Sequence, residues 1–429
     1  MLPKEYSAWV KQDPGIPGLA TLLDPEAFQK CLQPIVRVEK VWLRKLWYEP
    51  ETYCLAAYQM EFCGAPAYVY AKAYAPYGAN KIRKTLEQAP AAPAALPQKV
   101  VLEKVSIAVF FFPADDQLAS LTHLAEPEKR TALLRDLFPE QADFWEGNLH
   151  PLQYKPERRY VVRLDTPKGP QAVLKFCRHR VFSESLTAAK AFKSQGALRV
   201  PQCLGFSRLQ NCLVFEWLPG RPLKKVLHRD LQSAVPLVKN SGAALAELHG
   251  QKVAGLACLE ENSSIESVAV EAGKLGLFSP ALKVKIERLE NAIIARLAEQ
   301  PPIRRPIHGS FHLSQVLVDN NKLGVIDFDD SVLGDPRQDL GRFIASLHQS
   351  AIRGKIPENC LGLLTQAFLN GYRQNSGDPV PTGLEAHVAA ALFKPPNLHP
   401  SSPGAGESDW SGLIHATLDR AEAILEKPF

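Results

Sequence analysis

The chain has 429 residues, 46% hydrophobic and 22% charged, the balance of a folded globular protein too long for one small core. Its formal net charge of +5 is spread thinly, with no block of five or more basic residues, which argues against a nucleic-acid partner. The eight cysteines are scattered without a C-x-x-C pair. They read as free thiols of a reducing, cytoplasmic compartment rather than as disulfides or a zinc site.

The opening residues, MLPKEYSAWVKQD, hold no continuous apolar segment and do not look like a secretory leader. Residues 1–40 read as a helical lead-in interrupted by Pro14, Pro17 and Pro25. From Val41 the pattern turns strand-like. After Tyr48-Glu49-Pro50-Glu51 comes TYCLAAYQMEF, a turn at Cys63-Gly64-Ala65-Pro66, then AYVYAKAY, the signature of a hairpin. The Pro/Ala-rich segment 88–98 is a connector. The longest uncharged apolar run, residues 105–114 (VSIAVFFFPA), is too short to cross a bilayer, so no membrane partner is expected.

About a hundred residues on, the same construction returns. Tyr154-Lys155-Pro156-Glu157 opens RRYVVRL, DTPKGP turns, and QAVLKF follows, again ending its strand near a lysine. Each hairpin is followed by an apolar strand running into a proline, SIAVFFFP and NCLVFEWLP. The spacing predicts a duplicated small α+β unit. From Leu231 the chain becomes helical. Leu231, Val235, Val238, Gly242, Leu245 and His249 keep helical spacing, as do Leu282, Ile286, Leu289, Ile293 and Leu297. Further helices are predicted near residues 340–350, 360–373 and 413–427, with a Pro/Ser/Gly loop at 394–409.

Within the helical half lies HGSFHLSQVLVDNNKLGVIDFDDSVLGDPRQDL, beginning at His308. Residues 315–318 and 322–328 suit two strands around the turn Asp319-Asn320-Asn321, and the second strand delivers Asp327 at its end. This stretch resembles the signature of the aminoglycoside phosphotransferase and choline kinase-like family, relatives of protein kinases. That family's catalytic loop reads H-G-D-x-H-x-x-N and is followed by I-D-F-D, then G-D-P-x-x-D-L. His308, Gly309, His312, Ile326, Asp327, Phe328, Asp329, Gly334, Asp335, Pro336, Asp339 and Leu340 match. Ser310 stands where the catalytic Asp belongs and Gln315 where the metal-binding Asn belongs.

The resemblance implies an α+β, protein kinase-like bilobal fold with an additional N-terminal copy of the small lobe. Residues 1–150 would form that copy, 151–220 the small lobe with its hinge, and 221–429 the helical lobe carrying the catalytic loop and substrate region. It implies an ATP- and Mg²⁺-dependent phosphotransferase acting on the hydroxyl of a small metabolite. Lys175 would meet the nucleotide phosphates, with Glu184 on the following helix holding it. The backbone of Glu216 and Leu218 would face the adenine. Asp327, with Gln315 and Asp329, would hold Mg²⁺, and His308 would position the loop. Ser310 lacks a carboxylate's basicity, and general-base help is worth roughly 10²–10⁴ in rate. The alternative is therefore a pseudokinase that senses nucleotide or binds a protein. Neither a dinucleotide-binding glycine turn nor a G-x-S-x-G elbow is present, which argues against an oxidoreductase or a hydrolase.

Overall fold

The run that opens at Tyr53 is apolar through Tyr58 and then alternates over Gln59, Met60 and Glu61, and it folds as the second strand of an antiparallel meander. The strands are β1 (Lys40–Glu49), β2 (Tyr53–Phe62), β3 (Ala65–Tyr74), β4 (Lys99–Leu102) and β5 (Ile107–Phe111), in the order β1-β2-β3-β5-β4. The second sheet comprises β6 (Asn148–Lys155), β7 (Arg159–Thr166), β8 (Gly169–Cys177), β9 (Cys203–Ser207) and β10 (Cys212–Glu216), in the order β6-β7-β8-β10-β9. The two orders are the same. This computed structural model describes residues 4–78, 80, 82, 97–260, 262–320, 322–377, 379, 381–394 and 410–427. Most of the predicted 88–98 connector, most of the 394–409 loop and Asn321 lie outside the described residues.

The likeness of the sheets extends to a buried polar anchor. The Tyr48 hydroxyl and the Glu51 N–H both donate to Asp13 Oδ2 at 2.8 Å. In the second sheet the Tyr154 hydroxyl and the Glu157 N–H donate to Asp115 Oδ2 at 2.8 and 2.9 Å. Glu51 and Glu157 share a left-handed backbone, with φ of 57° and 55°. In each unit one buried carboxylate thus ties the turn after the first strand to the segment preceding the sheet, and the two donors offset its desolvation.

The helical lobe packs around one apolar core that reaches back to Ala188, Phe192, Leu198 and Val200 of the second sheet's unit. Its principal helices are Leu231–His249, Ser263–Phe278, Lys283–Ala298, Arg337–Ile352, Leu361–Ser376, Leu384–Leu392 and Trp410–Glu426. The helix after β8 runs His179–Ala191. The stretch that follows His308 forms β13 (Val316–Asp319) and β14 (Lys322–Val325), antiparallel, once β11 (Arg221–Pro222) and β12 (Arg305–Ile307) have been counted; β12 pairs with β15 (Val332–Gly334). All eight cysteines are free. Among the described residues, no helix is long and apolar enough to cross a membrane.

Helices Leu231–His249 and Leu361–Ser376 approach closely because glycines meet at their crossing. A Cβ on Gly371 would lie 1.8 Å from the Lys239 carbonyl, and one on Gly242 would lie 2.0 Å from the Phe368 carbonyl. Backbone cannot give way as a flexible side chain can. Gly371→Ala is expected to lower unfolding free energy by about 1–3 kcal/mol, the usual cost of overpacking, as read by urea denaturation.

Candidate active site

The loop beginning at His308 is built around one carboxylate. Asp339, in the first turn of helix Arg337–Ile352, is fully buried. Its Oδ2 accepts the His308 N–H at 2.6 Å and lies 3.1 Å from His249 Nε2; its Oδ1 accepts the Phe311 N–H at 3.3 Å. The other ring nitrogen of His249 meets the Tyr372 hydroxyl at 3.0 Å, next to the Gly371 crossing. Helix packing is thereby connected to loop geometry. Burial pushes the Asp339 carboxyl up, but the His249 hydrogen bond and charge outweigh it and hold the group below its ordinary value. Gly309 adopts φ +77°, and a Cβ there would sit 2.0 Å from the Asp330 carbonyl, so the bend admits only glycine.

The imidazole of His308 is buried, and its Nε2 donates to the Ile326 carbonyl at 3.0 Å. That bond leaves Nδ1 as an acceptor, with the Ser310 N–H at 3.4 Å and the Ser310 hydroxyl at 3.5 Å. His312 is pushed down to about 4, chiefly by burial.

Asp327 follows β14 in a left-handed conformation, φ 71° and ψ 61°, which turns its side chain out of the hairpin. There it meets the second sheet. Lys175, on β8, reaches Asp327 Oδ1 at 2.8 Å and Asp329 Oδ2 at 2.5 Å. Arg159, at the start of β7, grips both oxygens of Asp327 at 2.8 and 2.9 Å and lies 3.3 Å from Asp329. Gln315 Nε2 donates to Asp327 Oδ2 at 3.1 Å. Burial works against ionising Asp327, yet the charges and hydrogen bonds of Lys175 and Arg159 hold it far below the usual carboxylate range. For Lys175 and Arg159 the same contest ends with both pKa values raised, because Asp327 and Asp329 outweigh desolvation.

This arrangement corrects three expectations. Glu184 does not hold Lys175: it is exposed on its helix, and the partners of Lys175 are Asp327 and Asp329. Gln315 turns its amide nitrogen, not its oxygen, towards Asp327, because a carboxylate accepts and cannot donate. The carboxylates expected for Mg²⁺ are chemically suited, but the roughly four lone-pair directions of Asp327 are taken by Lys175, Arg159 twice, and Gln315. As they stand, these residues do not fit the ion unless Arg159 leaves. Among the described residues, no group of three or more His, Cys, Asp or Glu side chains could hold a metal. At the hinge, the Glu216 carboxylate pairs with Arg199 at 2.9 Å, the Trp217 N–H bonds the Gln171 carbonyl at 3.2 Å, and the Leu218 side chain is buried.

Arg159 was not singled out by the sequence, although it sits in a basic turn, Lys155-Pro156-Glu157-Arg158-Arg159, between the first two strands of the lobe. The turn is braced by the N-terminal sheet. Lys72, on β3, pairs with Glu157 at 2.5 Å, and the Arg158 guanidinium lies 5.9 Å over the Trp47 ring. Burial and then the charge of Arg159 lower Lys155 to about 8, and they also lower Lys45 of β1. Positive charge therefore gathers around the two carboxylates from both sheets.

The model of the phosphotransferase enzyme family matches residues 152–376, just over half of the chain. The chain belongs to that family. No curated protein matches the chain. Among solved structures, it is similar to a choline/ethanolamine kinase family protein from Mesorhizobium loti, at 16% identity and a TM-score of 0.46 over 70% of this chain and 95% of that one. It is also similar to the macrolide 2'-phosphotransferase MphH from Brachybacterium faecium, at 17% identity and a TM-score of 0.40 over 71% and 99%. A third is the aminoglycoside phosphotransferase APH(4)-Ia, at 15% identity and a TM-score of 0.48 over 70% and 99%. The family match agrees with the mixed, kinase-like fold of two antiparallel sheets and a helical lobe.

Because the folded-state pKa of Asp339 lies below its ordinary value of 3.8, its contribution to stability is complete above that pH and is lost as pH falls through the lowered value. Asp339→Asn places an amide N–H against donors and removes the charge. It is expected to cost about 3–5 kcal/mol at neutral pH and to flatten the loss of stability below pH ~4. Thermal unfolding followed across pH 2–7 checks both.

Proposed function

We propose that this protein is a nucleotide-dependent phosphotransferase that moves the γ-phosphoryl group of ATP to the hydroxyl of a small metabolite. The observation that carries this reading is the meeting of Lys175, from the second sheet, with Asp327, from the catalytic hairpin, at 2.8 Å. Lys175, Arg159 and Lys155 are the cations that an entering triphosphate would encounter, and its oxygens would compete with Asp327 and Asp329 for them. Phosphoryl transfer has a loose transition state in most analyses, so positioning and charge neutralisation supply most of the catalysis. No step of this reading runs through Mg²⁺, because Arg159 and Lys175 already neutralise the carboxylates expected to hold it.

In place of the carboxylate base, Ser310 would orient the acceptor hydroxyl. His308 Nδ1, 3.5 Å from Ser310 Oγ, is the basic atom in reach to take a proton, since its Nε2 is committed to the Ile326 carbonyl. We read residues 1–150 as a second copy of the small lobe, 151–220 as the small lobe with its hinge, and 221–429 as the helical lobe. The shared strand order and the paired Asp13 and Asp115 anchors support this division. The free cysteines fit a reducing cytoplasm.

A second reading, a nucleotide sensor without catalysis, is favoured by Ser310 at the base position and by the Arg159 guanidinium across Asp327. Two experiments separate the readings. ATP is expected to raise the thermal unfolding midpoint of the wild type and to lose that effect in Lys175→Ala; no stabilisation of the wild type would count against both. Transfer of labelled γ-phosphate to a pooled metabolite fraction is expected in the wild type and should rise on the order of 10²-fold in Ser310→Asp. Stabilisation without transfer in either protein would favour the sensor.

A further inference from the structure

A cavity of about 550 Å³ lies beside the catalytic loop, walled by residues 312–314, by the short helix Leu223–Leu227, by helix Arg337–Ile352 and by the end of helix Leu384–Leu392. Its volume is that of a small-molecule site. Five cations line it, Lys224, Arg342, Arg353, Lys355 and Lys394, and no Asp or Glu does. Lys224, Arg342 and Lys394 are partly buried, whereas Arg353 and Lys355 are exposed. Among the described residues, none of the five has an ion-pair partner.

These groups act on one another. Burial and then the charge of Arg353 lower Lys224. Burial and then Arg342 lower Lys394 to about 8, although Glu271 and Asp330 pull the other way. His228, also on the wall, is lowered by burial, Lys224 and Lys355. A solvated basic surface would spread such charges and leave them in water. Here three are partly removed from water and face the others across a concavity, an arrangement that is unfavourable until an anion enters. Neutral groups for orienting a ligand are also present: Ser314, Ser346 and Gln349 share the wall.

The cavity adjoins the transfer site. His312 lines it two residues after Ser310, and the charge of Asp327 acts on His312. We infer that this cavity is the acceptor site and that the acceptor is a hydroxyl compound carrying a phosphate or comparable multiply charged anionic group, not a cationic aminosugar. The inference rests on the phosphotransferase reading for the identity of the reaction. The acceptor hydroxyl oxygen would form the bond to the γ-phosphorus while the bond from that phosphorus to the β,γ-bridging oxygen breaks. ADP would leave with that electron pair, and the hydroxyl proton would pass towards Ser310 and His308.

Titration calorimetry with glucose 6-phosphate, inorganic phosphate, glucose and glucosamine tests the site, with and without a non-hydrolysable ATP analogue. Glucose 6-phosphate is expected to bind at least tenfold more tightly than glucose, to weaken as salt is raised, and to bind whether or not the analogue is present. Glucosamine is expected not to bind. Arg342→Gln and, separately, the exposed Lys355→Gln are expected to weaken glucose 6-phosphate at least tenfold and threefold, with circular dichroism confirming that both fold. Glucose 6-phosphate no tighter than glucose, glucosamine tighter than either, or binding unchanged in both variants would overturn the proposal. Anion binding retained in a protein that ATP fails to stabilise would support the anion site while defeating the phosphotransferase reading. ATP stabilisation without anion binding would do the reverse.

Discussion

The two lobes are joined by a partly buried electrostatic knot. Two carboxylates, Asp327 and Asp329, sit close together after β14, and burial would push Asp327 up were it not for cations from outside the helical lobe. Lys175 and Arg159 supply them from adjacent strands of the second sheet, in hydrogen-bonding range. Everything that defines the site depends on this pairing. It fixes where β8 faces the β13–β14 hairpin, it draws Gln315 in as a further donor, and it decides that Asp327 is already satisfied.

Arg159 makes this site chemically different from a pair of carboxylates awaiting a metal. A guanidinium is planar, stays charged and matches a carboxylate with two parallel bonds, so it is a strong competitor for Asp327. It is held there by its setting. The turn before it is pinned by Asp115 and by the Lys72–Glu157 pair, the latter bringing in the N-terminal sheet. The first sheet is thus a brace for that turn, and it presents its lysine, Lys72, to Glu157 instead of to a carboxylate pair of its own.

Much of this was legible in the chain. The HGSFH and VIDFDD words placed the β13–β14 hairpin because strand alternation, turn residues and a terminal carboxylate coincide within thirty residues. Lys175 was legible as the end of an apolar strand, and the doubled Tyr-x-Pro-Glu turn revealed a repeat that the shared strand order now accompanies. Strand β6 was missed because most of its residues are exposed or only partly buried and Pro151 interrupts it, so it carries no apolar period. Glu184 was expected only from the resemblance, and a family's partner for the lysine need not carry over: here Glu184 is exposed on its helix, and Asp327 and Asp329 take the lysine.

The sequence by itself determined the local pieces: the hairpins, the long helices, the glycine bend at Gly309, and the residue types at the loop, including Ser310. Those follow from backbone preferences and side-chain period, which act over a few residues. Only the tertiary structure decided that Arg159 crosses 168 positions of chain to saturate Asp327, and that five separate cations share one concave wall beside the loop. Both are matters of charge brought together across distant segments. Coulombic energy depends on separation in space and on the water between the charges, and neither quantity is written in the order of the residues.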